Sequence, residues 1–400
     1  METTRIYYLD HLRPCLKTRL RQAQMEAAQV WMLCRDLHLV ARQTRTRWPN
    51  REELQRATKK QFALHSQTVQ MICHAFLVNI DTACELRKTN PKIRYPYKDK
   101  RYYPLFWPAQ TASIERGRVV LPMGRGRPAL VIHLADIPDR IGGCKLVWKD
   151  GYQLHLSVPC NESTASPENV QSTVDLGEVH QAAVTTNTGA ALVVSGRGIR
   201  SLKRQHNKSL GQLSKKRKRC TPGSRRYRKL EATRRKLSAR KRRRVRDLRH
   251  KGTRRVLQFC QAQGVGTLFI GNPHGVRNRT RGRHHNQRLA QWEYGKDIEY
   301  LTCKAAQAHI ESFTGSERGT SSQCPVCGWK QKVRGRFWRC RNPDCGFKGH
   351  RDVVGSVNMH PLAYGKKITF PAQITYQRPG PVRASCRNKE PARIARAGTL

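Results

Sequence analysis

Between Lys203 and Arg255 the chain carries 25 lysines and arginines and only two acids, Glu231 and Asp247. Such a segment cannot be a core element, because a buried cation without a partner is prohibitively costly. A thin apolar stripe (Tyr227, Leu230, Leu237, Val245, Leu248) gives it one side to rest on, and Thr221-Pro222-Gly223 interrupts it. The pattern predicts a long basic helical hairpin laid on a folded body. A charge run of this kind is often only a solvated face or a localisation signal. Here the whole chain shares the bias: 78 lysines and arginines against 27 acids leave a net charge of +51 over 400 residues. A particle so charged calls for a polyanion to neutralise it. Nucleic acid fits, and its phosphates would be held without regard to sequence and with steep salt dependence. A membrane does not fit: no run of eighteen apolar residues exists, and the basic stretches lack the large apolar residues of an interfacial helix.

The remaining chain is ordinary by comparison. A hydrophobic content of 38% supports roughly two to four domains with real cores. Leu16, Leu20, Ala27, Val30, Leu33, Leu37 and Val40 recur at helical steps, as do Val69, Ile72, Phe76, Ile80 and Ala83, so two amphipathic helices are expected. Between about 101 and 158 the period changes to two, most clearly from Tyr152 to Val158. The expectation for residues 1–160 is a small β-barrel or sandwich wrapped around a helical insert at about 14–95. A polar segment at 161–171 reads as a linker. Strands follow at Ser172–Gly177, Ala182–Thr186 and Ala190–Val194, and after the basic hairpin a short apolar strand, Thr267–Ile270, ends at Gly271-Asn272-Pro273. A basic loop (Arg277 to Arg288), a helix from about Gln287 to Phe313 and a loose basic tail from 361 to 400 complete the reading. The first residues contain no charged leader running into an apolar core, which predicts a cytoplasmic protein. Ten of the fourteen cysteines are scattered and read as free thiols.

The other four are not scattered. Cys324 and Cys327 form C-x2-C, Cys340 and Cys345 form C-x4-C, and twelve residues separate the pairs. Two such knuckles point four thiolates at one tetrahedral ion, and a site closed by four sulfurs makes the zinc structural rather than catalytic. Just beyond, His350-Arg351-Asp352-Val353-Val354-Gly355-Ser356-Val357-Asn358 reads as a helix start, with small residues for close packing on a sheet. Its Asp352 projects from the helix N-terminus. Asp175 lies on the first strand of the same unit. An aspartate at a helix start is commonly just a cap. Two carboxylates on apolar elements of a basic protein also suit a magnesium site for phosphodiester hydrolysis.

The order strand, basic helices, strand, zinc knuckle, helix resembles TnpB, the transposon-encoded RNA-guided nuclease related to the type V CRISPR effectors. The residues that carry the resemblance are VDLG at 174–177, the basic helices, the strand at 267–270, TSSQCPVCG at 320–328 and RDVVGSVN at 351–358. The resemblance runs from roughly residue 5 to 360. It implies an α+β multidomain fold: an oligonucleotide-binding-like wedge barrel with a helical recognition insert (1–160), then a RuvC-like RNase H fold (172–319 and 347–360) with the zinc knuckle (320–346) inserted. It implies a guide RNA, a double-stranded DNA target beside a short adjacent motif, no small-molecule substrate, and two magnesium ions held by three acids. Asp175 and Asp352 match the first and third of these acids.

The second acid is missing from its usual place. The family's apolar strand generally ends in glutamate, whereas this one ends at Gly271. Three readings follow. In the first, the carboxylate has moved onto the next helix, where Glu293 is the candidate; Asp297 and Glu299 are poorer ones, and Glu293 could equally be a surface acid paired with Lys296. In the second, the site is dead and the protein is an RNA-guided DNA binder. In the third, outside the family, it is a generic basic DNA-binding protein.

Overall fold

The computed structural model describes residues 2–10, 12–134, 137–159, 169–273, 282–333 and 335–380, apart from the side chains of residues 283 and 284. The expected linker residues 161–168, the loop residues 277–281 and the tail beyond 380 lie outside these. Two compact units emerge, Met1–Cys160 and Asn161–Leu400. Among the described residues no helix is long and apolar enough to cross a membrane.

The first unit runs β1 (Glu2–Tyr8), α1 (Pro14–Gln43), α2 (Arg51–Thr58), α3 (Ser66–Thr89), β2 (Leu105–Pro108), β3 (Ser113–Glu115), β4 (Arg118–Leu121), β5 (Leu130–His133), β6 (Gly143–Trp148) and β7 (Tyr152–Pro159). Proline at the first turn starts α1, and a reciprocal capping box between Asn50 and Glu53 starts α2. The apolar faces of the helices meet the strands over one core, where Trp31 stands edge-on to Phe76 with centroids 5.1 Å apart. The expected closure into a barrel is not found among the described residues. Among the described residues the strands make two open antiparallel sheets, β1-β7-β6-β2 and β3-β4-β5, and no closed barrel. At Pro108, which has no amide hydrogen to donate, β2 ends and a 3-10 turn (Ala109–Thr111) takes the chain into the second sheet.

The second unit comprises β8 (Val170–Leu176), β9 (His180–Thr186), β10 (Ala191–Ser195), α4 (Arg197–Lys218), α5 (Arg225–Ala262), β11 (Val265–Asn272), α6 (Arg283–Gln291), α7 (Tyr294–Gln307), β12 (Glu311–Ser316), β13 (Phe337–Arg339), β14 (Lys348–His350), α8 (Arg351–Tyr364) and β15 (Thr375–Gln377). Its main sheet has the order β12-β11-β8-β9-β10-β15. β8, β11 and β12 run parallel, so their carboxyl ends share one edge. Side chains alternate between the two faces. Val174, Val184, Leu192, Leu268 and Ile270 meet α5 and α7 through Val256, Leu257, Cys260, Leu301 and Ala305. Ala183, Ala191 and Val193 meet Val353 and Val357 of α8.

The basic hairpin is α4 and α5. Ser224 caps α5 by accepting from Tyr227 N at 3.2 Å, and Arg217 meets Glu231 at 2.7 Å across the pair. Full burial in α5 begins only at Ala239, so its first turns carry their cations at or near the surface. Two expectations are corrected here. The single helix expected at 287–313 is two helices and a strand, because the chain breaks at Trp292-Glu293 and again at His309, which takes a positive φ of 56° before β12. The stretch after His360 is not a loose tail as far as 380: α8 continues to Tyr364, Ile368, Phe370 and Ile374 pack beside the α8 core, and β15 pairs in parallel with β10. Apolar residues spaced through that segment supply the burial that holds it.

A candidate carboxylate centre beside a four-cysteine site

Asp175 lies between Val174 and Leu176, which both face α5 and α7, and alternation therefore turns its carboxylate toward α8. α8 makes room for it at Gly355, where a Cβ would stand 2.4 Å from Asp175 Oδ2. The same helix is fastened to β8 by Ser356, whose carbonyl accepts from Thr173 Oγ1 at 2.7 Å. Asp352, in the first turn of α8, is thereby brought to Asp175. Arg336 Nη1 donates to both Asp352 oxygens, at 2.7 and 2.9 Å, and His180 Nδ1 stands 2.7 Å from Oδ2.

A third acid joins them, and it is Glu317. It follows directly on β12, whose Gly315 and Ser316 lie opposite Gly271 and Asn272 of β11. Its carbonyl accepts from the amide and hydroxyl of Thr320, and Asn358 of α8 donates to the carbonyls of Thr320 and Gln323, which pins the turn to the helix. Glu317 Oε2 lies 2.6 Å from the place of a Cβ on Gly271, is buried, and has no hydrogen-bond partner. Burial first, then the charge of Asp352, pushes the Glu317 carboxyl up to about 7. Burial and the charges of Glu317 and Asp352 push Asp175 well above its ordinary value, against the opposing pull of Arg351 and Arg336. Burial works the same way on Asp352, but His180 and Arg336 outweigh it and hold that carboxyl below its ordinary value. One of the three is thus held ionised by the Arg336 guanidinium and the hydrogen bond with His180, and two are poised to take a proton or a metal.

Glu293 is not brought to this group. It precedes α7 at the N-cap position without a side-chain capping bond, and its carboxylate pairs with Lys296 and lies 3.8 Å from Arg249. The cause is the buried guanidinium of Arg249, which donates to the Glu293 carbonyl at 2.9 Å and pairs with Asp297, itself an acceptor from Gln181 Nε2 at 3.0 Å. That network docks the start of α7 on α5 and turns Glu293 toward the basic helices. Asp297 is spent in the same network.

Cys324 Sγ stands 3.7 Å from Cys345 Sγ, and Cys327 Sγ 3.5 Å from Cys340 Sγ, with all four within 4.8 Å of one another. Sulfurs bound at about 2.3 Å to a tetrahedral zinc are about 3.8 Å apart, so the cluster can hold that ion. Gly328 and Gly346 follow the knuckles with φ of 75° and 59°, which suits a residue without Cβ. The fully buried Trp338 packs with Cys324, Cys340 and Cys345 on Val354 of α8. The hairpin that carries Arg336 is therefore seated beside Asp352.

A six-stranded sheet with three acids near the carboxyl ends of its strands and a cysteine knuckle set before α8 has counterparts among solved structures. The chain superposes on the structure of a Cas12f1–sgRNA–target DNA complex with a TM-score of 0.61, over 87% of this chain and 83% of that one, at 13% identity. It also superposes on the mini-RNA-guided endonuclease CRISPR-Cas_phi3 with a TM-score of 0.50, over 93% and 94%, at 10% identity. At such identities the likeness is one of fold. In sequence, the probable-transposase family OrfB_IS605 matches residues 155–277, and the TNB domain of Cas12f1-like proteins matches 294–359. A TnpB-like protein of Methanocaldococcus jannaschii, MJ0751, is 25% identical over 205 residues, 50% of this chain and 71% of that one. The chain is a TnpB relative of the type V effectors.

Proposed function

We propose that this protein is an RNA-guided DNA endonuclease in which Asp175, Glu317 and Asp352 form the hydrolytic centre. The observation that carries the reading is the meeting of these three carboxylates at one sheet edge, with Glu317 in the room left by Gly271. The second unit is then a RuvC-like RNase H fold whose missing acid comes from the end of the neighbouring strand. A divalent cation suits the donors: Glu317 Oε2 is buried without a partner, and the mutual repulsion that raises Asp175 is what a cation would relieve. Magnesium ions bound there would supply an activated water and a counter-charge for the leaving oxygen. The protein's own part is to hold three acids rigidly on two strand ends and a helix start, and to exclude bulk water by their burial. Zinc at Cys324, Cys327, Cys340 and Cys345 is structural in this reading, since no position is left open.

The basic hairpin supplies sequence-independent phosphate contacts, while pairing with a guide reads the sequence. The complex of the Cas12f1 relative with sgRNA and target DNA supports both partners for this chain. Protein co-expressed with the DNA flanking its gene is purified, its bound RNA sequenced, and a matching duplex incubated with magnesium. Cleavage by the wild type that is lost in Glu317→Gln supports the reading. A duplex that is bound and left uncut at every magnesium concentration overturns it in favour of a guided binder.

A further inference from the structure

Asp352 also belongs to a second group of ligand atoms. His180, His350 and Asp352 each offer one donor, and the three lie within 4.8 Å of one another. Donors at 2.0–2.1 Å from one ion span up to about 4 Å, so small side-chain rotations suffice to gather them. Three elements converge to make the group: His180 opens β9, His350 closes β14 and Asp352 starts α8. The imidazole rings lie side by side with their planes tilted 59° to each other and their centroids 4.9 Å apart. His350 Nδ1 is buried and has no hydrogen-bond partner, so the fold has removed a basic nitrogen from water and given it nothing in return.

We propose that His180, His350 and Asp352 are a binding site for a first-row transition ion of the manganese, iron, cobalt or zinc class, beside the three-carboxylate group and sharing Asp352 with it. Two imidazoles and a single carboxylate suit such borderline ions, whereas magnesium takes oxygen donors and keeps its waters. Arg336 holds the same carboxylate, and its side chain is 42% exposed. An ion entering the site displaces this guanidinium, which has solvent to move into. The cysteine hairpin and the ion therefore compete for Asp352. The site goes beyond the cleavage reading and is tested without nucleic acid.

Full-length protein is freed of divalent ions, given one equivalent of zinc, which the four thiolates take first, and titrated with manganese(II) while electron paramagnetic resonance counts the free ion. Pulsed measurement then reads nitrogen coupling from directly bound imidazole. The expected result is a bound ion coupled to nitrogen that a tenfold excess of magnesium, roughly matching the softer-ligand preference, leaves in place. His350→Ala and His180→Ala each weaken binding by about tenfold or more, and His350→Gln keeps the side-chain volume should the alanine variant fold poorly. A wild-type spectrum without nitrogen coupling overturns the proposal, as does a titration unchanged in both histidine variants. Nitrogen coupling in a protein that never cuts DNA leaves this site standing and removes the cleavage reading; cleavage without nitrogen coupling does the reverse.

Discussion

Glu317 fills the space that a side chain on Gly271 would need: a Cβ at 271 would stand 2.6 Å from Glu317 Oε2 and 2.8 Å from Met359 Cε. The two residues lie at the ends of adjacent parallel strands, so an acid from either can serve one location but not both at once. Gly271→Glu alone puts a second carboxylate into an occupied, buried place and should abolish cleavage while costing about 1–3 kcal/mol in stability. The double variant Gly271→Glu, Glu317→Gly should recover a substantial part of both. Thermal melts and cleavage rates of the two singles and the double form a cycle; a double variant no better than Gly271→Glu refutes the shared location.

Glu317→Gln keeps the shape of the side chain and removes its charge. If Glu317 completes the hydrolytic group, cleavage should fall by at least about a hundredfold, which corresponds to about 2.7 kcal/mol of transition-state stabilisation. Guide RNA and target binding should stay within a few-fold. Glu293→Gln is the matched control. Its partly exposed pairs with Lys296 and Arg249 are worth about 0–1 kcal/mol, and cleavage should change little. A reversed ranking of the two variants would restore Glu293 as the third acid.

The raised Glu317 carboxyl makes stability depend on pH in a definite direction. Its pKa rises from an ordinary 4.5 to about 7. Between those values the folded protein holds a proton that the unfolded chain has lost, so the stabilisation is complete below about 4.5 and disappears as pH rises through about 7. The slope is at most about 1.4 kcal/mol per pH unit for one such group. Protein kept in zinc but freed of magnesium should melt progressively lower from pH 5 to 7.5, by about this order, and the slope should shrink in Glu317→Gln. Magnesium, which needs the ionised acid, should offset the loss at the upper end. Melting curves that rise over this window in the magnesium-free, zinc-bound wild type would contradict the assignment.

Much of this site could be read in the chain, for local reasons. Asp175 sits between apolar neighbours on a strand of period two, and Asp352 at a helix start with small residues behind it, so each carries its own orientation in its neighbours. The four cysteines need only their spacing. Glu317 had no such signal. Its strand, ESFTGS, buries no residue fully and ends a stretch that otherwise reads as helix. What places it is pairing with β11 in the right register, a long-range fact that composition does not carry. Gly271 was the one local hint, and it marked a vacancy without saying who fills it. Glu293 was misleading because its turn toward Arg249 depends on a buried ion pair between α5 and α7. The barrel failed for a similar reason: alternation predicts strands well, but closure is decided by which edges meet.

The first turns of α5 hold Arg226, Arg228 and Arg235 exposed. Replacing all three with glutamine should weaken guide RNA binding across unrelated RNA sequences alike. Every phosphate that no longer meets a cation lowers the slope of log affinity against log salt by about 0.7–0.9, so the slope should fall by about 2–3 if all three touch phosphate. Filter binding at several salt concentrations measures it. An unchanged slope would return this part of the hairpin to a solvated face.

The cysteine hairpin reaches the carboxylate group through packing and one arginine, and metal removal should expose that linkage. Trp338, Cys324, Cys340 and Cys345 rest on Val354, two residues beyond Asp352, and the Arg351 amide donates to the Arg336 carbonyl at 2.9 Å. Without zinc, four thiolates within 4.8 Å of one another repel or take up protons, and so small a hairpin has little apolar core of its own to resist unfolding. Chelation, or Cys345→Ser, should therefore open residues 324–348 to protease while the Met1–Cys160 unit keeps its own melting transition. Cleavage should fall along with it, because Asp352 then loses the packing that fixes its helix start, and adding back zinc should restore both. Should the chelated protein still cut DNA at the wild-type rate with its hairpin digested, the knuckle would have no part in positioning Asp352.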